Sequence, residues 1–229
     1  MKQTDKTLAV RILWYAISAF LILGYIILPL ARTFIEALRT ENGFGPDVFR
    51  EFFTNPNQRE VLGNTVLLGT ATVLTCGFLG TALALYMTFL CRKNRKLIHI
   101  LLLSPMMVPG VIIVIAFIQL YGESGLFTKA VQAALHLSKA PWNFQGFGAI
   151  LFVITYTQYV YFYMNVYVAL KYLDYSAVEA AESLGASRLR MFADVIWPTI
   201  RPAVFTSATI TFASGVSAFS APNLIGGGF

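Results

Sequence analysis

Apolar residues run along this chain in long blocks, and the charges collect in the short stretches between them. No Asp, Glu, Lys or Arg lies between Arg11 and Arg32, and the same holds for residues 61–90, 97–122, 140–170 and 202–229. Each block reaches or exceeds the ~20 apolar residues that a helix needs to cross a hydrocarbon core of ~30 Å. A backbone in lipid must satisfy its own hydrogen bonds, so these blocks are expected to be helices. Five spans are predicted, at residues 12–31, 61–90, 97–121, 146–170 and 203–225. The fold class that follows is all-α, a polytopic transmembrane helical bundle.

Details within the blocks refine this picture. The first follows Lys2, Lys6 and Arg11, as a signal peptide would, but it is longer than a signal core and no small-x-small cleavage site follows it. It is read as a retained helix. The second exceeds one crossing, which calls for tilt or for extension beyond the membrane. In the third, Ser104-Pro105-Met106-Met107-Val108-Pro109-Gly110 removes two ladder donors four residues apart and is expected to kink or break the helix. Such a bend either shapes and gates a pathway or is a packing kink. Of the polar residues inside the blocks, Gln158 and Asn165 are candidates to line a pathway, with interhelical hydrogen bonding as the alternative, and the same choice holds for Asn64 and Gln119. The tyrosines between Tyr156 and Tyr172 read as packing and interface anchors. Between the blocks, residues 33–59 read as a short external subdomain, and 126–137 as an amphipathic stretch on the outer surface.

Composition agrees with the pattern: of 229 residues, 57% are hydrophobic and 12% charged, half the charge of an ordinary soluble domain. The net charge of +6 does not call for nucleic acid, because its placement has another cause. Lys2, Lys6 and Arg11, then Arg92, Lys93, Arg95 and Lys96, then Lys171, Arg188, Arg190 and Arg201 fall in alternate connections. That alternation is the positive-inside pattern, and it places the N-terminus and the basic loops in the cytoplasm. Cys76 and Cys91 lie at different depths, so neither a disulfide nor a metal site is expected of them. His99 and His136 fall on opposite sides of the membrane. No nucleophile–base pair or metal-ligand cluster is evident, so no catalytic residue is assigned.

The most informative stretch is the loop at residues 174–198. Ser176 and Glu179 have the spacing of a capping box that opens a helix. Gly185 suits the left-handed residue that closes it. Ser187 can cap a second helix, which is expected to run to about Trp197 before Pro198 interrupts it. By physics alone, such a compact loop is either a docking element for a cytoplasmic partner or a well-capped linker.

Glu179-Ala180-Ala181, three residues, Gly185, nine residues, then Val195-Ile196-Trp197-Pro198 resembles the EAA loop of binding-protein-dependent ABC importer permeases. Val195 and Trp197 stand where the family pattern has Ile and Leu. The Asn64-Thr65 start of the second span and the Pro105–Pro109 segment are also similar to that family, so the resemblance covers roughly residues 60–229, with 1–59 as an N-terminal helix and external segment.

The resemblance implies a type I importer permease that docks a separate ATP-binding cassette subunit through Ser176, Glu179, Ala180, Ala181, Gly185, Val195 and Pro198. It also implies an external solute-binding protein and a second permease copy or paralogue. ATP would be bound by the partner, since this chain has no G-x-x-x-x-G-K-[ST] segment. Pro105, Pro109, Gln158, Asn165 and Asn223 are the residues carried forward for a pathway or gate. Residues 217–228 are similar to the last external loop of ferric-iron, polyamine and phosphonate permeases. Such permeases continue into a sixth helix, so the resemblance implies a chain that is incomplete at its C-terminus. An ion-gradient-driven transporter or channel is the alternative; the absence of Asp, Glu, Lys or Arg deep in the spans disfavours it.

Overall fold

The structure, a computed structural model, describes residues 2–40, 43–45 and 47–227. Residues 1–60 and 61–229 form two compact units. In the first unit the apolar block belongs to one continuous helix, α1 (residues 2–37), in which Ile22–Ile27 takes the wider π turn. Pro29 follows two residues later. A proline ring strikes the carbonyl four residues back, here Tyr25. The π turn widens the helix at that carbonyl, so α1 passes the proline without breaking. From Ile12 to Ile35 its large apolar side chains are exposed, as suits a helix whose cover is lipid. A two-residue antiparallel ladder, β1 (Arg39–Thr40) with β2 (Gly43–Phe44), interrupts the helical pattern before α2 (Asp47–Thr54).

Helix α3 (residues 56–90) is unbroken and ends in the π turn Tyr86–Leu90. Next come α4 (Arg95–Leu103), a 3-10 turn (Ser104–Met107), α5 (Gly110–Tyr121), α6 (Leu126–Ala134) and α7 (Gly146–Lys171). The chain then forms α8 (Tyr175–Ser183), α9 (residues 188–216) and α10 (Ser220–Ile225). Among the described residues, four stretches are long and apolar enough to cross a membrane: Arg11–Ala37, Pro56–Leu90, Gly110–Ala134 and Gly146–Lys171.

The third and fifth predicted spans are therefore divided differently. The expected break in the third is complete. Pro105 deprives the Leu101 carbonyl of its helical donor, and the Ser104 hydroxyl takes that place at 2.8 Å. Tyr159 of α7 donates to the Leu102 carbonyl at 2.8 Å. Pro109 then caps α5, its carbonyl accepting from Ile112 and Ile113. The fifth span, expected to run unbroken to residue 225, stops at Val216. Pro222 has no N–H to continue such a helix but fits the first turn of a new one, α10, which begins at Ser220.

Helix α7 is the centre of the second unit. One end buries Ala149, Ile150, Val153 and Ile154 among Leu68, Ile113, Ala221 and Ile225. The other buries Tyr163, Val166 and Leu170 among Cys76, Met87, Ile196 and Ile200. Lipid supplies no hydrophobic drive between helices, so close approach and hydrogen bonds hold them together. Thr75 and Thr155 hydroxyls meet at 2.7 Å, and Asn165 Nδ2 donates to Ser207 Oγ at 2.9 Å. Gly69 and Gly215 bring α3 against α9, where a Cβ on Gly215 would lie 3.1 Å from the Gly69 Cα.

The tightest approach between two helices is at Gly80, where a Cβ would stand 2.6 Å from both Phe162 Cβ and the Tyr159 carbonyl oxygen. Gly63, on the same helix, is exposed with nothing within 4 Å of such a Cβ. Gly80→Ala is expected to cost about 1–3 kcal/mol through overpacking against backbone. Gly63→Ala should leave stability unchanged or raise it by up to ~0.8 kcal/mol through helix propensity. Thermal unfolding of the two variants in detergent, side by side, checks the pair.

Candidate functional site

The loop between α7 and α9 is built by three local devices. The first is the cap of α8. It is Asp174, and not Ser176 as the capping-box spacing suggested: the Asp174 carboxylate accepts from the Ser176 N–H at 2.9 Å and from its hydroxyl at 2.7 Å. A carboxylate at a helix N-terminus is a stronger acceptor than a hydroxyl and complements the dipole. Ser176 is thereby a donor in the first turn. The second device closes α8. Gly185 adopts φ +78°, its N–H reaches the Glu182 carbonyl at 2.9 Å, and the Ala186 N–H reaches that of Ala181 at 3.0 Å. This pair of bonds is a Schellman closure, and it needs a residue free to be left-handed. The third is Ser187, which caps α9 by accepting from the Arg190 N–H at 3.3 Å.

Pro198 does not interrupt the second helix. A π turn at Phe192–Ile196 precedes it, widening the helix at the Asp194 carbonyl that its ring would strike, and α9 continues through Val216. The arrangement repeats the one ahead of Pro29. The second half of the loop is thus the first turns of the same helix that packs along α7.

Glu179, Ala180, Gly185 and Pro198 are exposed, while Ala181 and Val195 are half-buried. Of α8, Val178 leans on the core, joined by Val195 and Phe192 from α9. A concavity of ≈300 Å³ lies between the two helices, lined by Ala181, Leu184, Gly185, Arg190, Met191 and Val195 among others. Leu184 is 87% exposed and Leu189 83% exposed. Two large, exposed apolar side chains on a capped frame make a surface suited to a protein partner. Neither leucine was singled out from the sequence, although an apolar residue on each side of the glycine turn is the signal that could have found them.

The pathway candidates separate into groups. Gln158 lines a cavity of ≈340 Å³ with Gly110, Thr157, Ser214, Ser217 and Ser220. Its Oε1 is buried with no hydrogen-bond partner among the described residues. Pro109 is adjacent to this cavity through Gly110, and Pro105 is buried in the 3-10 turn. Asn165 does not join them, being committed to Ser207. Asn223 is exposed on α10, outside the cavity that its neighbours Ser220 and Ala221 line. Cys76 and Cys91 are free and buried, and the described residues contain no group of three or more His, Cys, Asp or Glu able to hold a metal.

Residues 76–229 match the family of binding-protein-dependent transport system inner membrane components. The chain belongs to that family. It is a multi-pass membrane protein with the fold of an ABC importer permease. Among its relatives is a protein of Sinorhizobium fredii named as a probable ABC transporter permease, y4fN, 27% identical over 92% of this chain and 37% of the relative. The ferric transport system permease FbpB of Actinobacillus pleuropneumoniae is 25% identical over 100% of this chain and 33% of its own. A Salmonella typhi permease named for 2-aminoethylphosphonate transport, PhnU, is 29% identical over 87% of this chain and 70% of its own. The chain spans about a third of the length of the first two. In fold it is similar to a crystal structure of a bacterial ABC transporter involved in import of the acidic polysaccharide alginate, with a TM-score of 0.75 at 18% identity, covering 94% of this chain and 75% of that one.

The Asp174 cap gives the permease loop a pH signature. Donation by the Ser176 hydroxyl, then by its N–H, holds the Asp174 carboxyl below the ordinary carboxylate range. A lowered folded value means that the cap is complete above the unfolded value, about pH 4, and is lost as pH falls through the lowered one. Amide-exchange protection of residues 176–184, corrected for intrinsic rates, is expected to fall on acidification through that window. Asp174→Asn should flatten the dependence without unfolding the bundle.

Proposed function

We propose that this chain is the membrane-spanning subunit of an ATP-driven importer and that α8 is its coupling helix. The observation that carries the reading is a capped, glycine-closed helix, exposed on Glu179 and Ala180 and flanked by two solvent-exposed leucines, continuous in its second half with the long helix α9. In this reading Glu179, Ala180 and Ala181, with Leu184 and Leu189, seat in a groove on a separate ATP-binding subunit. The small alanines permit close approach. ATP is bound by that partner, and this chain contributes no catalytic group. Closure of the ATP-binding subunits displaces α8, and α9 carries the displacement into the bundle because it is one helix from the loop to Val216. Coupling requires an element whose two positions ATP binding favours differently.

The remaining parts follow from the family. A solute-binding protein delivers substrate on the outer side, and a second permease copy or paralogue completes the pathway. The N-terminus and α8 lie in the cytoplasm of a bacterium, by the distribution of Lys and Arg. On this reading the substrate is ferric iron, a polyamine or a phosphonate; relatives named for ferric and for 2-aminoethylphosphonate transport support the first and last of these. Gln158 and the Pro105–Pro109 break lie on the pathway.

The test is recovery of partners with the tagged chain from its native membrane in mild detergent, read by mass spectrometry. An ATP-binding cassette subunit is expected to co-purify. Gly185→Val, which puts a branched residue at φ +78° for about 1–2 kcal/mol of strain, should abolish both recovery and uptake while membrane insertion stays normal. Gly185→Asn should retain both. Full uptake by the valine variant, or transport without any ATPase partner, would sink the proposal and favour an ion-gradient mechanism.

A further inference from the structure

The connection between α3 and α4 and the end of α7 bring together five cations, none of them in an ion pair among the described residues. Arg92 and Lys93 lie in the turn, Arg95 and Lys96 open α4, and Lys171 closes α7; all five are exposed. Tyr167 organises two of them. Its buried ring is clamped by His99 at 4.8 Å and Tyr163 at 5.7 Å. The Arg95 guanidinium and the Lys171 ammonium stand 5.8 Å and 4.9 Å from its centroid. One fixed aromatic platform therefore holds two like charges from two different helices.

Among the described residues the ion pairs are Glu36–Arg39 and Arg190–Asp194, neither of them here. The next acid along the chain, Asp174, is occupied at the α8 cap. The first turn of α4 contains no acid, and the Asn94 side chain makes no cap bond, so the helix dipole adds to the same positive field. Like charges gathered at a membrane boundary are stabilised by an anion. The next turn of α4 exposes Leu97, Ile100 and Leu101, the end of α3 exposes Leu90, and Tyr172 is exposed beside Lys171. A free anion satisfies the cations alone. A molecule with an anionic head and hydrocarbon tails satisfies the cations and the apolar side chains together.

We propose that this corner, centred on Arg95 and Lys171 over Tyr167, is a binding site for the headgroup phosphate of an anionic phospholipid. Its acyl chains lie along Leu97, Ile100 and Leu101. The assignment concerns the lipid-facing surface and is independent of the importer reading.

The probes are phosphatidylglycerol and phosphatidylcholine, added to the full chain in mild detergent with retained lipid measured by native mass spectrometry. The chain is expected to retain phosphatidylglycerol in preference to phosphatidylcholine. Replacing both Arg95 and Lys171 by Gln should weaken phosphatidylglycerol roughly 10- to 30-fold and leave phosphatidylcholine unchanged. Removing the same two charges elsewhere, with Lys129→Gln and Lys139→Gln, should have no such effect. The charge-keeping pair Arg95→Lys and Lys171→Arg should retain the preference, which separates loss of charge from loss of fold. Equal retention of the two lipids by the unmodified chain would overturn the proposal, and so would an equal loss in the Lys129 and Lys139 control. Displacement of phosphatidylglycerol by excess inorganic phosphate would overturn the lipid assignment in favour of a soluble anion.

Discussion

A peptide group in hydrocarbon has no water to bond, and the structure is organised around that constraint. Helices satisfy it along their length, so the hard places are where prolines remove donors. Pro29, Pro105 and Pro198 show how they are met. The Leu101 carbonyl left by Pro105 takes the Ser104 hydroxyl, and the Leu102 carbonyl takes the Tyr159 hydroxyl from a neighbouring helix. Ahead of Pro29 and Pro198 the helix widens into π turns, so that neither proline ring meets the carbonyl four residues back. The helical pattern is broken at the third block and continuous past Pro29, Pro198 and Pro202.

Continuity at Pro198 matters most for the permease. Because α9 runs from Arg188 to Val216, the second half of the loop and the bundle share one helix, with α8 joined to it at the Gly185 turn. The near end of α9 holds Ile196 and Ile200 in the core around α7, and its far end meets α3 at Gly215 and Gly69. A rigid connection of this kind transmits a displacement where a flexible linker would absorb it. Glycine contacts set how near the helices lie, and hydroxyl and amide pairs such as Thr75 with Thr155 and Asn165 with Ser207 set their register.

The two polar environments along α7 differ in what they leave unfinished. Asn165 donates to Ser207 and works as an interhelical tie. Gln158, two turns away, has a buried oxygen without a partner among the described residues and lines a cavity rich in hydroxyls. A buried acceptor left unpaired is costly in a low-dielectric interior, and the same residue is therefore the more informative of the pair about where polar molecules can enter.

What the sequence by itself determined follows from rules that act locally. Block length and the absence of charge set the membrane character and the helices; two prolines four apart set the break in the third block; Gly185 and Ser187 set the end of one loop helix and the start of the next. The EAA spacing was legible for the same reason, since all its parts lie within one short loop. What only the tertiary structure decided depends on competition or distance. Asp174 outcompetes Ser176 for the α8 cap because a carboxylate is the better acceptor, although both fit the pattern. Pro198 is passed rather than obeyed because the preceding turn can widen, and Ala203 to Ile225 is not one span because a new helix starts at Ser220 with Pro222 in its first turn. Asn165 and Gln158 have similar side chains in one apolar run. Their different fates rest on whether a serine from a helix some forty residues away happens to face them, which no periodicity within that run encodes.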